Sequence, residues 1–382
     1  MTALLETLPV PSGRDALSVL PALSRMLDGD GPALLPVPAG DPREIRRLTD
    51  ALSPGEPIEP GVGLVVATSG TTGIPKGAQL TAAALRASGE ATYTRIGGPG
   101  SWLLALPPHH IAGMQVLLRS LLAGTEPVVV DVSHGFDPAG LPAAVDAMPG
   151  PRRYSSMVPT QLIKVLDHPA AVDALARLDA ILLGGAATPL PVLERARAAG
   201  ITIVRTYGMS ETCGGCVYDG VPLDGVRVRV GDDSRVWVGG ATLASGYRGL
   251  PDHPAFAEAG WFRTDDAGLL EDGVLRIVGR LDEAISTGGL TVVPQVVEAV
   301  LIGHPAVREV AVVGLPDERL GSRVVAVVVP APGTDPTLAE LREHVEASLD
   351  ATAAPREIHL VDALPLRGPG KVDRRALVSR FS

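Results

Sequence analysis

Three glycines, four hydroxyl side chains and one lysine crowd into Thr68-Ser69-Gly70-Thr71-Thr72-Gly73-Ile74-Pro75-Lys76-Gly77. Glycines let backbone N–H groups approach an anion, hydroxyls donate further hydrogen bonds, and a lysine adds a movable positive charge. The chemistry on offer is the holding of a phosphate. The stretch is not the P-loop G-x-x-x-x-G-K-[ST]: Pro75 precedes Lys76 and Gly77 follows it, where that pattern needs glycine and a magnesium-binding hydroxyl. A flexible linker would share the composition. Linkers, however, rarely sit between a buried strand, here the run from Gly61 to Ala67, and a helix capped by a residue such as Thr81.

Other stretches carry chemistry of their own. Tyr207-Gly208-Met209-Ser210-Glu211 follows the run from Ile201 to Arg205. An aromatic, a hydroxyl and a carboxylate so close together suit an adenine face, a phosphate contact and a magnesium ligand, although a bare surface turn has the same letters. Gly184-Gly185-Ala186-Ala187 leaves room for a flat ring or, equally, for close helix–strand packing. Asp265 and Asp266, in GWFRTDDAG, suit a ribose diol or simply face water. Arg119 is the one charge between Ile111 and Leu122. Buried there, a guanidinium calls for a carboxylate; snorkelling or an ion pair within the protein are the competing readings. His109 and His110 lack a third ligand for a metal. Cys213 and Cys216 have C-x-x-C spacing, yet no second pair completes a zinc site, and they read as small loop residues. Lys371, in RGPGKVDRR, reads by itself as a surface lysine.

These groups need a scaffold. Short β-branched runs (101–106, 126–132, 153–158, 180–183 and 201–205) alternate with helical stretches (110–123, 159–166 and 189–199). The alternation predicts an α/β layer architecture with a largely parallel sheet, in which ligands bind beyond the carboxyl ends of strands. Ahead of it, helices are expected near 15–27 and 42–52 in a proline-rich segment. Residues 227–249 alternate apolar and polar and predict antiparallel strands, with another at 274–278. Helix 294–302, strands 308–314 and 323–329, helix 338–349 and strand 356–361 then predict a compact α+β unit. The charged break at Arg280–Glu283 sets the expected boundary, giving a large α/β domain with a β-rich portion over 1–281 and a small α+β domain over 282–382.

At 382 residues, 46% hydrophobic and 20% charged, the chain is long enough for two cores. A net charge of −10 weighs against nucleic acid or an anionic membrane as partner, and aromatics at 3% leave few surfaces for base stacking. No apolar run is long enough to span a bilayer, so no membrane insertion is expected. The first residues, MTALLETLPVPSGRD, have no basic residue ahead of their apolar portion, so no signal peptide is expected and the cytoplasm is the default.

Ser69–Gly77 (SGTTGIPKG) resembles the signature loop of the adenylate-forming acyl-CoA ligase superfamily. Further matches follow in the superfamily's order: G-G-A at 184–186, Y-G-x-[ST]-E at 207–211, a TGD-like turn at 264–266, G-R-x-D-[DE] at 279–283 and G-K at 370–371. The resemblance implies a large domain that binds ATP and an acid, a small mobile domain, Mg²⁺, and CoA as co-substrate. It implies that Thr68, Ser69, Gly70, Thr71, Thr72, Gly73 and Lys76 hold phosphates. Gly185, Ala186 and Ala187 would line adenine, with Tyr207 and Gly208 beside it. Ser210 would contact the α-phosphate, Glu211 hold Mg²⁺, Asp266 bind the ribose and Arg280 assist there. Lys371 would reach the carboxylate and α-phosphate during adenylation. Asp282 would be the hinge that then brings Gly288 and Gly289 to the thiol, and His110 would gate the acyl pocket. The chain departs from the pattern at Asp265, which replaces a glycine, at Ser286, where many relatives carry lysine, and in a short N-terminal region.

With VPTQL at 158–162 and ISTGG at 285–289, the chain is most similar to the o-succinylbenzoate–CoA ligases of menaquinone synthesis. That implies a small aromatic dicarboxylate, one carboxyl being activated and the other held by Arg119. Another aryl- or acyl-acid ligase, serving CoA or a carrier protein, and a silent nucleotide-binding homologue are the alternatives. A homodimer is left open.

Overall fold

The computed structural model describes residues 3–68, 75–366 and 372–382; Ser69, Gly70, Thr71, Thr72, Gly73 and Lys371 lie outside the described residues. The chain divides into two compact units, residues 1–229 with 237–263, and residues 230–236 with 264–382.

In the first unit, β1 (Leu5–Val10), β2 (Ala33–Pro38), β3 (Val62–Thr68) and β4 (Lys76–Thr81) lie side by side in that order, and the short strand Gly246–Tyr247 pairs with β4. β1, β2 and β3 are parallel, while β4 returns antiparallel to β3. The sequence reading takes the chain from the phosphate loop straight into a helix and misses β4. Lys76 instead opens a strand, paired with Thr68, whose Ala78 and Leu80 are fully buried. Thr81 does cap the helix Ala82–Ile96, its hydroxyl accepting from the Ala84 N–H at 3.1 Å. Such a cap contributes about 1 kcal/mol.

The second sheet comprises β5 (Ser101–Leu104), β6 (Val128–Val129), β7 (Arg153–Met157), β8 (Ala180–Leu183), β9 (Ile203–Met209), β10 (Gly214–Tyr218) and β11 (Val221–Pro222), in the order β11-β10-β9-β8-β7-β5-β6. Strands β5 to β9 are parallel, and β10 and β11 turn back antiparallel. The helices Ile111–Leu122, Pro159–Leu166 and Leu190–Ala198 connect them. Leu103, Leu162, Ile181, Leu183 and Leu193 belong to one buried aliphatic cluster. Only two residues of the expected strand 126–132 pair, and β9 runs four residues beyond Arg205. Tyr207 and Gly208 therefore lie on the strand itself. A Cβ on Gly208 would sit 2.0 Å from the Gly214 carbonyl oxygen, so only glycine lets β9 and β10 pair there.

In the second unit, residues 266–271 of the strand Trp261–Glu271 form a hairpin with Val274–Arg280 that sets Asp266 opposite Arg280. Further on, the strands Leu290–Val292, Ile285–Thr287, Gly321–Pro330 and Val307–Asp317 form a sheet, with Glu357–Leu360 parallel on Gly321–Pro330. Alternation along the central strand divides its burial. Val324, Ala326 and Val328 share a core with Val297, Leu301, Leu341 and Val345 of the helices Pro294–Leu301 and Leu338–Glu346. Val325, Val327 and Val329 share one with Leu377 of the helix Arg374–Phe381.

Candidate active site

Lys76, at the start of β4, places its Nζ 3.0 Å from His253 Nε2 and 5.2 Å from the centroid of the Tyr247 ring. The Tyr247 hydroxyl donates to Glu211 Oε1 at 2.6 Å. One tyrosine, on the short strand that pairs with β4, thus meets both an ammonium and a carboxylate.

Glu211 owes its position to a knot of buried polar groups. Beyond β9 the chain makes a single 3-10 turn, Ser210–Thr212. Thr212 Oγ1 accepts from the Met209 N–H at 2.9 Å and donates to the Gly214 carbonyl at 2.7 Å. The Cys213 carbonyl accepts from Gln115 Nε2 at 2.6 Å and from Ser88 Oγ at 3.1 Å, so two helices grip the turn. Glu211 itself is 7% exposed. A carboxylate in this setting suits Mg²⁺, which takes one or two carboxylates and fills its shell with phosphate and water oxygens. Cys213 and Cys216 are fully buried, and burial pushes both thiols up, Cys216 to about 12. Neither has the thiolate character that redox chemistry or nucleophilic attack requires.

Beyond β8, Gly185, Ala186 and Ala187 are exposed, while Tyr207 and Ser210 are half-buried. On the acid side, Gln161 accepts from the Val158 N–H at 3.1 Å and donates to the Ala105 carbonyl at 2.7 Å. It ties the start of the helix Pro159–Leu166 to the segment between β5 and His109. The rings of His109 and His110 are 4.2 Å apart; burial, and then the charge of His110, push His109 down to about 3. His110 immediately precedes the helix that carries Arg119. At 3% exposure Arg119 does not snorkel. Its guanidinium lies 5.1 Å from the Trp102 ring centroid, Nη2 is 3.5 Å from the Tyr218 hydroxyl, and Nε has no hydrogen-bond partner among the described residues.

The second unit gathers a separate cluster. Arg280 grips Asp282 through two bonds of 2.8 and 2.7 Å and reaches Asp266 at 3.3 Å. Burial works against its charge, but the Asp282 hydrogen bonds and the charges of Asp266, Asp282 and Glu283 outweigh it and push its pKa above the ordinary arginine value. Asp266 is 7% exposed, and its N–H donates to Thr264 Oγ1 at 3.0 Å. Gly288 and Gly289, both at positive φ, form the two-residue turn of the hairpin Ile285–Val292. Arg374 ion-pairs with Glu283 at 3.4 Å and Glu298 at 2.5 Å.

Sequence reasoning picks out none of Tyr247, His253, Thr212, Gln115 or Arg374. Tyr247 alone carried a signal, as one of only five tyrosines in the chain, set in a glycine-flanked turn.

Residues 39–248 match the family described as AMP-binding enzyme, and residues 296–371 match the AMP-binding enzyme C-terminal domain. A protein of Mycobacterium tuberculosis described as a probable 2-succinylbenzoate–CoA ligase is 59% identical over 382 residues, 99% of each chain. ATP-bound MatB from Rhodopseudomonas palustris, at 22% identity, shares the fold with a TM-score of 0.86 over 100% of this chain and 89% of that one. A variant of Escherichia coli MenE with bound OSB-AMS is 27% identical, with a TM-score of 0.78 over 100% of this chain and 88% of that one. Family model, whole-length relative and fold thus coincide on one chain, which belongs to the AMP-binding enzyme family.

Proposed function

We propose that this chain is an ATP-dependent o-succinylbenzoate–CoA ligase. Its 59% identity, over 99% of its length, to a protein described as such a ligase carries the reading. A carboxylate is a poor acylating agent until its oxygen becomes part of a leaving group. In the first half-reaction a carboxylate oxygen of the acid attacks the α-phosphorus of ATP, forming acyl-AMP and releasing pyrophosphate. In the second, the CoA sulfur attacks the acyl carbonyl carbon, the thiol proton is lost, and AMP departs.

Charge builds on the phosphates during the first step, and fixed cations there are worth large rate factors. Lys76 and the loop preceding it hold the phosphates, and Lys371 reaches the reacting carboxylate and α-phosphate. Glu211 would hold Mg²⁺, which would supply further neutralisation of the phosphates. Gly185, Ala186, Ala187, Tyr207 and Gly208 take the adenine, Ser210 the α-phosphate, and Asp266 with Arg280 the ribose. Arg119 is the cation for the second carboxylate of the acid; its burial without a protein carboxylate in the described ion pairs supports that role. His110 gates the acyl pocket. Between the steps the small domain, over 282–382, turns about Asp282, exchanging Lys371 for Gly288 and Gly289.

Pyrophosphate release with ATP, Mg²⁺ and a panel of o-succinylbenzoate, benzoate, salicylate and a medium-chain fatty acid tests this, followed by thioester formation with CoA. Release with o-succinylbenzoate alone, and transfer to free CoA, is the expected result. Release with a different acid would discard the substrate and keep the chemistry. Transfer only to a carrier protein would change the acceptor, and no release with any acid would leave a nucleotide-binding protein without this activity.

A further inference from the structure

Tyr247 and His253 touch the two groups whose charges must meet a magnesium-bound triphosphate, and neither belongs to the motifs read from the sequence. The chain has four phenylalanines and five tyrosines in all. Three of these nine gather here: Tyr247 packs edge-on against His253 at 4.7 Å and Phe256 at 5.2 Å, and Phe256 packs against Phe262 at 5.0 Å. In so aromatic-poor a chain, the cluster makes a rigid support for side chains resting on it. We propose that Tyr247 and His253 are positioning residues for adenylation, Tyr247 fixing the metal-binding carboxylate of Glu211 and His253 setting the place of the Lys76 ammonium. This rests on the roles given above to Glu211 and Lys76.

The hydroxyl of Tyr247 donates to Glu211 Oε1 at 2.6 Å, a charge-assisted hydrogen bond that orients the carboxylate plane. The same ring lies under the Lys76 ammonium, 5.2 Å from its centroid, within range of a cation–π attraction. His253 adds placement of a different kind. An ammonium can only donate, so at 3.0 Å the His253 Nε2 presents its lone pair and accepts from Lys76. The imidazole therefore anchors the ammonium through one of its N–H groups, and the others remain for a phosphate oxygen.

The test compares wild type with Tyr247→Phe, His253→Gln and Glu211→Gln, each alone, and Tyr247→Phe combined with Glu211→Gln. Pyrophosphate release is measured across Mg²⁺ and ATP concentrations, together with Tm. Tyr247→Phe keeps the ring and loses the donor, so half-saturation by Mg²⁺ should rise roughly tenfold, the KM for the acid staying unchanged. His253→Gln should raise the KM for ATP about threefold and leave Mg²⁺ dependence alone. In the Glu211→Gln background, Tyr247→Phe should add little, because the carboxylate it orients is gone. A lower Tm and a lower rate with Mg²⁺ and ATP dependences unchanged would overturn the proposal and make the cluster a packing feature. If the wild type releases no pyrophosphate, it is the ligase reading that fails. The same variants are then compared by calorimetric binding of ATP with and without Mg²⁺, where equal affinities in all of them overturn the positioning role.

Discussion

The Arg119 guanidinium lies 5.1 Å from the centroid of the Trp102 ring, and both side chains are buried. A charge removed from water without a counter-ion costs a fold stability, and an apolar residue of similar length in its place is often neutral or stabilising. Arg119→Met is therefore expected to leave Tm unchanged or higher, while pyrophosphate release with o-succinylbenzoate falls about a hundredfold or more. Equal loss with every acid, accompanied by a lower Tm, would make Arg119 a packing residue.

Lys371 lies outside the described residues, so its proposed role is best separated by half-reaction. Lys371→Ala should reduce adenylation on the order of a hundredfold or more and leave thioester formation from supplied acyl-adenylate intact. Equal loss in both steps would remove the lysine from the first.

His109 makes stability depend on pH in a defined direction. Burial, then the charge of His110, hold its pKa at about 3 against 6.5 for an ordinary histidine. Between those values the unfolded chain takes up a proton that the folded protein does not. This contribution is therefore complete above the unfolded value and is lost as pH falls through the window towards the folded one. His109→Gln should show a smaller fall in its urea midpoint than wild type between neutrality and about pH 4. Identical pH profiles would contradict the assignment.

Much of the fold is visible in the letters because burial leaves a pattern. Ala180–Leu183, buried at every position, reads as an aliphatic run, and Pro159–Leu166 reads as a helix opened by its proline. β4 escapes because its glycine and lysine mimic loop composition. The hairpin strands Ile285–Thr287 and Leu290–Val292 are three residues each, too short for alternation to register. For the candidate site, motif order brings Glu211, Asp266 and Arg280 forward, but not what holds them. His253 lies 177 residues along the chain from Lys76, and a local pattern reports which way a residue faces, never which distant residue it meets. Thr212 and Gln115 are missed for the same reason: a polar residue whose hydrogen bonds are satisfied inside the fold looks, in the sequence, like any solvated one.

The turn that presents Glu211 also contains the thiol of Cys213, sealed in the interior three residues from Cys216, the only other cysteine of the chain. Cys213 is buried, so a thiol-modifying reagent reaches it only through local opening, and Gln115 and Ser88 bond the carbonyl of the same residue. Its rate of modification in the folded protein is therefore a clock for local opening, wound by the same hydrogen bonds that hold the glutamate. No label has to be engineered in. Under the role proposed for Glu211, a ligand that tightens the turn slows the clock, and its arrival can be followed through sulfur chemistry at Cys213.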